Sequence, residues 1–193
     1  MSEPEGFQCW SALISEDEER ALVAKIARLP FQPFEFRGYL GNRRVVSFGW
    51  RYDFNDAKLK KAAEMPEFLS PVIGRVAEFA GIEASAVEQA LITEYEPGAA
   101  IGWHKDRFVF DDVMGVSLNS ACTFRFRRKA GEKWDRASFL LQPRSAYLLR
   151  GPARSGWEHS IPAVERLRYS LTFRTMMDKD RTGSSTICGG ARP

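Results

Sequence analysis

Apolar residues recur at helical spacing in the first third of the chain and at alternating spacing beyond it. Leu22, Ile26 and Leu29 fall four and three apart behind Ser15-Glu-Asp-Glu18. That tetrad is a capping box, in which a serine hydroxyl and a glutamate carboxylate satisfy free backbone N–H groups reciprocally. The pattern predicts an amphipathic helix ending near Leu29, stopped by Pro30 and Pro33. A second helix is predicted from Ser70-Pro71 to Ala80, with Val72, Val76, Phe79 and Ala80 turned inward and Gly81 closing it. Between the helices, residues 34–40 and 43–52 read as two strands joined by a turn at Gly41-Asn42.

From residue 88 onward the period becomes two. Segments 89–95, 101–105, 114–118, 122–128, 137–142, 145–150, 158–162 and 168–176 are short, alternating and separated by turn residues. Cys122, Phe124 and Phe126 alternate with Thr123, Arg125 and Arg127, as in a sheet with one buried face. Strands of this length and number predict an α+β chain, mainly β, built as a sandwich or jelly-roll barrel. One domain is expected over residues 1–177, with helices in 1–87 and the β core in 88–177. Residues 178–193 are rich in Gly, Ser and Thr, lack periodicity, and read as a flexible tail.

Composition narrows the class. At 193 residues, with 44% hydrophobic and 27% charged side chains, the chain suits a single soluble domain with a full core. No apolar run approaches the ~20 residues of a bilayer span. The opening Met-Ser-Glu-Pro-Glu-Gly has no signal-peptide core. Cys9, Cys122 and Cys188 are odd in number and widely spaced, which reads as reduced thiols. The expectation is a cytoplasmic monomer without membrane association. A net charge of +3 permits nucleic acid as a partner without requiring it. Basic residues concentrate at Arg125-Phe-Arg-Arg-Lys129 with Gly131 and Lys133, a basic hairpin, and at Arg37, Arg43 and Arg44. Both groups read equally as solvated strand faces or as a phosphate footprint.

The candidate chemistry uses both histidines of the chain. His104-Lys-Asp106 places an imidazole and a carboxylate on one side of an extended segment, because residues two apart share a face. With the distant His159 they make two imidazoles and a carboxylate, the ligand set of non-haem Fe(II) oxygenases. A thiolate-rich set would instead have indicated zinc or an iron–sulfur cluster. In Arg168-Tyr-Ser-Leu-Thr-Phe-Arg174, residues 168, 170, 172 and 174 share one face, and Tyr169, Leu171 and Phe173 the other. One reading is a half-buried strand with its polar face in solvent. The other turns the arginines inward. Their α-carbons stand about 20 Å apart, and two guanidinium forks leaning together could close on a small dianion. A dicarboxylic acid beside Fe(II) points to 2-oxoglutarate.

From about Arg43 to Met176 the chain resembles the AlkB family of Fe(II)/2-oxoglutarate-dependent dioxygenases. The motifs are Leu91-Ile-Thr-Glu-Tyr95-Glu-Pro-Gly98, His104-Lys-Asp106, Val116-Ser-Leu118, Gly156-Trp-Glu-His159-Ser-Ile161 and Arg168-Tyr-Ser-Leu-Thr-Phe-Arg174. The resemblance implies a double-stranded β-helix core buttressed by the N-terminal helices, with Fe(II), 2-oxoglutarate and O2 as cofactor and co-substrates. It implies His104, Asp106 and His159 as iron ligands, Arg168 and Tyr95 on the distal carboxylate, and Arg174 near the keto-acid end. Thr93 and Ser170 stand where the best-known member has asparagines touching the co-substrate. Residues 44–52 lie where the family carries its substrate-recognition lid, so Trp50, Arg51 and Tyr52 are expected substrate contacts; Trp50 and Phe48 read equally well as core. Phe108 stands two residues after the aspartate, where well-known repair members have an acid. The implied activity is oxidative demethylation of alkylated bases in DNA or RNA. Hydroxylation of a modified tRNA wobble uridine, or of a protein, is the alternative.

Overall fold

The strand from Arg168 to Met176 is buried on both faces, so neither side of its alternating pattern meets solvent. Its place explains why. The computed structural model describes residues 3–36 and 39–177. In it this strand, β13, sits in the middle of a seven-stranded antiparallel sheet. The elements in chain order are β1 (Phe7–Trp10), α1 (Glu16–Ile26), β2 (Gln32–Phe36), β3 (Tyr39–Phe48), β4 (Trp50–Asp53), β5 (Lys58–Lys61), α2 (Ser70–Ala80), β6 (Gln89–Tyr95), β7 (Ile101–His104), β8 (Phe110–Leu118), β9 (Cys122–Ala130), β10 (Lys133–Leu141), β11 (Ala146–Leu149), α3 (Gly151–Ser155), β12 (Glu158–Ile161) and β13 (Arg168–Met176). The large sheet runs β1-β11-β8-β13-β6-β3-β2 and a smaller one β10-β9-β12-β7; β4 and β5 form a separate hairpin. The two packed sheets make the expected jelly-roll.

Two apolar layers flank the large sheet. On one side Tyr169, Leu171 and Phe173 of β13, with Met114, Val116 and Leu118 of β8, pack against Leu22 and Ile26 of α1 and Val72 and Val76 of α2. On the other, Tyr95, Val113, Tyr147 and Leu149 meet Phe124, Phe126 and Ile161 of the small sheet. Each fully buried side chain of this kind contributes roughly 1.5–3 kcal/mol. The polar members of β6, β8 and β13 also project into this second layer, and there they form the site.

The predicted capping box is present: Ser15 accepts from the Glu18 amide, and Glu18 accepts from the Ser15 amide at 2.8 Å. Arg75 of α2 clasps the same carboxylate, tying the helices together. The first helix ends at Ile26 rather than Leu29. Arg28 and Leu29 bond back to Lys25 and Ile26, a tighter three-residue turn. The second helix has the predicted bounds, although Phe79 lies at its half-buried margin against Trp10, 5.5 Å between ring centroids.

Two expectations about residues 34–52 are corrected. Gly41-Asn42 is no turn but part of β3, where Leu40 pairs with Glu35 and Tyr39 with Phe36. A tight turn of that type needs positive φ, and Gly41 does not have it. Residues 37–38 lie outside the described residues, and with them the Arg37 assigned to a basic spot. The predicted strand 43–52 is broken at Gly49, whose φ is +71° and where any Cβ would stand 2.1 Å from the Glu88 carbonyl oxygen. β1, β5 and α3 were not predicted. Residues 178–193, read as a tail, also lie outside the described residues. Among the described residues no helix is long and apolar enough to cross a membrane.

Candidate active site

β7 and β12 are neighbours in the small sheet, and their register sets His104 opposite His159. The two imidazoles meet edge to face with centroids 4.2 Å apart. His104 Nδ1 lies 2.9 Å from the Gly102 carbonyl oxygen, which makes it the protonated nitrogen and leaves the Nε2 lone pair available. His159 is buried against Phe124 and Phe126, and its Nδ1 has no hydrogen-bond partner. Its Nε2 stands 3.5 Å from Oδ2 of Asp106. Burial and the neighbouring His104 push the His159 imidazole down to about 3, so it is neutral at ordinary pH, the form that ligates metals. Burial opposes ionisation of Asp106. The Arg174 guanidinium and both histidines outweigh it, holding the carboxyl well below the usual range.

Arg174 reaches Oδ1 of Asp106 with Nε at 3.0 Å and Nη2 at 2.7 Å, while its Nη1 donates to Gln89 at 2.7 Å. The loop after Asp106 is held from α3: Arg154 donates to the carbonyls of Arg107 and Phe110. Among the described residues, no group of histidine, cysteine, aspartate and glutamate side chains is converged into a formed metal cage. The donors nevertheless fit Fe(II) by type, with two neutral imidazoles beside an ionised carboxylate whose Oδ2 is free of Arg174.

Arg168 lies further along the same face of β13. It is 0% exposed, and among its donors only Nε is used, 3.0 Å from the Ser117 hydroxyl. Nη1 and Nη2 are buried without partners. A fully buried, half-satisfied guanidinium is costly. Here it presents two parallel donors to the interior, the geometry that binds a carboxylate bidentately. Tyr95 is its cross-strand neighbour, with its ring 5.1 Å from the guanidinium carbon. Ser170 stands beside Thr93 on one side and Ser117 on the other, a buried row of hydroxyls between Arg168 and Arg174. The picture of two arginines closing on one dianion is therefore corrected. Arg174 is committed to Asp106 and Gln89, and Arg168 alone has its fork free.

Other residues shape the space and were missed in the sequence. Tyr147 lies directly over Gly115, where an added Cβ would approach its ring to 2.1 Å. Burial and the carboxylate of Asp106 push its phenol well above the usual tyrosine value. Gln89, Ser117 and Arg154 also belong here. Alternation within their strands marks Gln89 and Ser117 as inward-facing once β6 and β8 are known to be central; nothing local marks Tyr147 or Arg154.

At the mouth, Arg107 presses its guanidinium on the rings of Tyr52 and Phe54, 4.9 Å from each centroid. The β4–β5 hairpin thus leans on the residue next to Asp106. Trp50 shares the Tyr52 face of β4, partly exposed, with the Lys61 ammonium 4.0 Å from its ring centroid. Arg51 points to the opposite, exposed side. Phe48 is core, whereas Trp50 is not. Phe108 is 77% exposed. Arg43 lies opposite Tyr95 on β3 and stacks on Phe34 at 3.7 Å.

A jelly-roll with an inward-facing His-x-Asp…His group and a buried, free arginine fork defines the class. A family model, the 2OG-Fe(II) oxygenase superfamily, matches residues 23–178, and the chain belongs to that superfamily. It is an AlkB-like oxygenase, and so an enzyme that uses Fe(II), 2-oxoglutarate and O2. The Arabidopsis thaliana "Alkylated DNA repair protein ALKBH8 homolog" is 28% identical over 147 residues, 64% of this chain and 42% of the relative. The chain thus spans under half of that relative's length. Protein L905 of Acanthamoeba polyphaga mimivirus is 25% identical over 187 residues, 89% of this chain and 85% of the relative. Among solved structures, OsALKBH1 is similar with a TM-score of 0.69 at 15% identity, covering 91% of this chain and 98% of the other. A Pseudomonas putida prolyl-4-hydroxylase gives 0.64 at 14% identity, covering 90% and 94%. At such identities these likenesses concern the fold.

Proposed function

We propose that this oxygenase removes methyl groups from alkylated nucleic-acid bases, and that His104, Asp106 and His159 hold its Fe(II). When bound, the iron with 2-oxoglutarate and O2 supplies oxidation of a nearby C–H bond, releasing succinate and CO2. A methyl carbon on nitrogen, once hydroxylated, leaves as formaldehyde. The chain does the rest. Arg168 and Tyr95 take the distal carboxylate of 2-oxoglutarate, the Thr93, Ser170 and Ser117 hydroxyls line its length, and Arg174 orients Asp106. Residues 1–177 act as one domain, a monomer of the cytoplasm, in which 1–87 supplies the lid and 88–177 the jelly-roll.

The observation that carries the nucleic-acid reading is the hairpin at the mouth. Tyr52 and Trp50 share one face of it, and Tyr52 and Phe54 grip the arginine next to Asp106. Aromatic faces beside guanidinium groups suit a flipped or unpaired base and its phosphate, each stacked base being worth ~1–3 kcal/mol. The relative named for alkylated-DNA repair adds support. A second reading, stable hydroxylation of a neutral modified uridine, is favoured by Arg107 and Phe108, since neither balances the charge of a cationic methylated base. The test is succinate release from wild-type protein given methylated DNA and RNA oligonucleotides, bulk tRNA and peptides. Stimulation by methylated oligonucleotides with formaldehyde release is expected. Stimulation by tRNA without formaldehyde selects the second reading, and stimulation by peptides alone overturns both.

A further inference from the structure

β7 is the edge strand of the small sheet, and the loop bearing Asp106 and Arg107 follows it directly. While His104 faces the interior, Trp103 faces outward beside the outer residues of β9 and β10. Arg127 is sandwiched between the indoles of Trp103 and Trp134, 4.6 Å from each centroid, and is paired with Glu158 at 2.5 Å. Arg128 lies over Trp157 and pairs with Asp135 at 2.9 Å. Those two cations of the predicted basic hairpin are therefore already neutralised.

Two others are not. Arg125 lies 5.1 Å from the Trp103 ring and bonds only to the Ser160 hydroxyl. Arg136, opposite Arg127 in the strand pair, has no ion-pair or hydrogen-bond partner among the described residues. Both line a groove of about 230 Å³ with Trp103, Phe126, Ala137 and Ser138.

We propose that this outer face of the small sheet is a second contact surface for single-stranded nucleic acid, holding the strand that flanks the nucleotide in the active site. The proposal rests on the nucleic-acid reading above. An indole offers a plane to any base, and an unpaired guanidinium beside it offers a fork to the adjoining phosphate. Neighbouring carboxylates are consumed by Arg127 and Arg128, so the charges of Arg125 and Arg136 stay uncompensated beside a mainly apolar groove, which suits a base and the phosphate next to it. A strand leaving the mouth has one edge strand to cross before it meets Trp103. The same strand residue pair thus serves both sides of the sheet, His104 within and Trp103 without.

The test is length dependence. Fluorescent oligouridylates and oligothymidylates of three and about twelve nucleotides, within the range covered by single-strand binding grooves, are titrated into the full chain at low and rising salt. Lengthening is expected to tighten binding to wild type about tenfold or more. Arg125→Gln with Arg136→Gln is expected to lose most of that gain and to make the salt slope shallower by about 1.4, at ~0.7 for each arginine on a single strand. Trp103→Leu should lose the gain while keeping the slope. Arg136→Gln alone, at an exposed site, guards against misfolding of the double variant, and melting curves check all of them. A length gain retained in the double variant overturns the groove and leaves the nucleic-acid reading standing. So does equal displacement by a polyglutamate peptide, which makes the face a general anion binder. No binding of either oligomer at any length overturns the nucleic-acid reading itself, and the groove with it.

Discussion

Arg168 is the residue whose surroundings make least sense without a ligand. Its fork is fully buried and only Nε is bonded, so Arg168→Ala should raise the 2-oxoglutarate dissociation constant at least about thirtyfold, the ~2 kcal/mol or more of a buried charge pair broken on one side. Calorimetry on protein loaded with redox-silent Mn(II) measures this without turnover. Arg168→Lys should recover only part, because a point charge cannot replace two parallel donors; full recovery would show that another group holds the carboxylate. His104→Ala, Asp106→Ala and His159→Ala should each abolish turnover and lower iron content while the far-ultraviolet spectrum stays unchanged. Full iron content in any one of them would remove that residue from the ligand set. Phe108→Asp should shift preference towards cationic methylated bases, read as the ratio of succinate release on cationic and neutral substrates; an unchanged ratio would show that position 108 does not meet the base.

At the scale of elements, β8 and β11 must pass close enough for Tyr147 to lie on Gly115, and an added methyl has 2.1 Å where van der Waals contact needs nearly twice that. Gly115→Ala should therefore destabilise by about 1–3 kcal/mol through overpacking, seen as a lowered melting temperature. Its companion Gly115→Ala/Tyr147→Phe should recover little, since the clash is with the ring. The β4–β5 hairpin touches the β7–β8 loop through Arg107, and on the proposed function it is the element that meets substrate. Trp50→Ala is expected to lower substrate-stimulated succinate release several-fold, with little change in the salt dependence of binding. A loss of binding slope instead would place Trp50 among the phosphate contacts.

For the whole molecule, acid is the condition that separates site from scaffold. His159 is held down to about 3 by burial and by His104, whereas an unfolded histidine titrates near 6.5. As pH falls below about 6.5 the unfolded chain takes up a proton that the folded chain refuses, so stability drops progressively towards pH 3. Asp106 acts in the same direction at lower pH: its folded carboxyl is depressed, and the stability it confers above the unfolded value near 3.9 is lost on acidification. Melting temperatures of metal-free protein across this range should fall, and His159→Gln should flatten the upper part of the fall. An unchanged profile in that variant would mean that His159 is not the titrating group.

Much of this could be read from the sequence because the relevant physics is local. The capping box, the second helix from Ser70 to Ala80, the strands 89–95 and 168–176, and the His-x-Asp spacing follow from periods of 3.6 and two and from side-chain chemistry. What the sequence could not decide is which alternating face is inside when both are. In β13 the polar face is as buried as the apolar one, because α1 and α2 cover one side of the large sheet and the small sheet covers the other. Tertiary pairing also chose between two similar arginines, giving Arg174 to Asp106 and leaving the fork of Arg168 free. In the same way it neutralised Arg127 and Arg128 with Glu158 and Asp135 while leaving Arg125 and Arg136 without a carboxylate. The chain alone determines which groups carry charge; only the fold determines which of those charges already have a partner, since that depends on contacts between residues far apart in sequence.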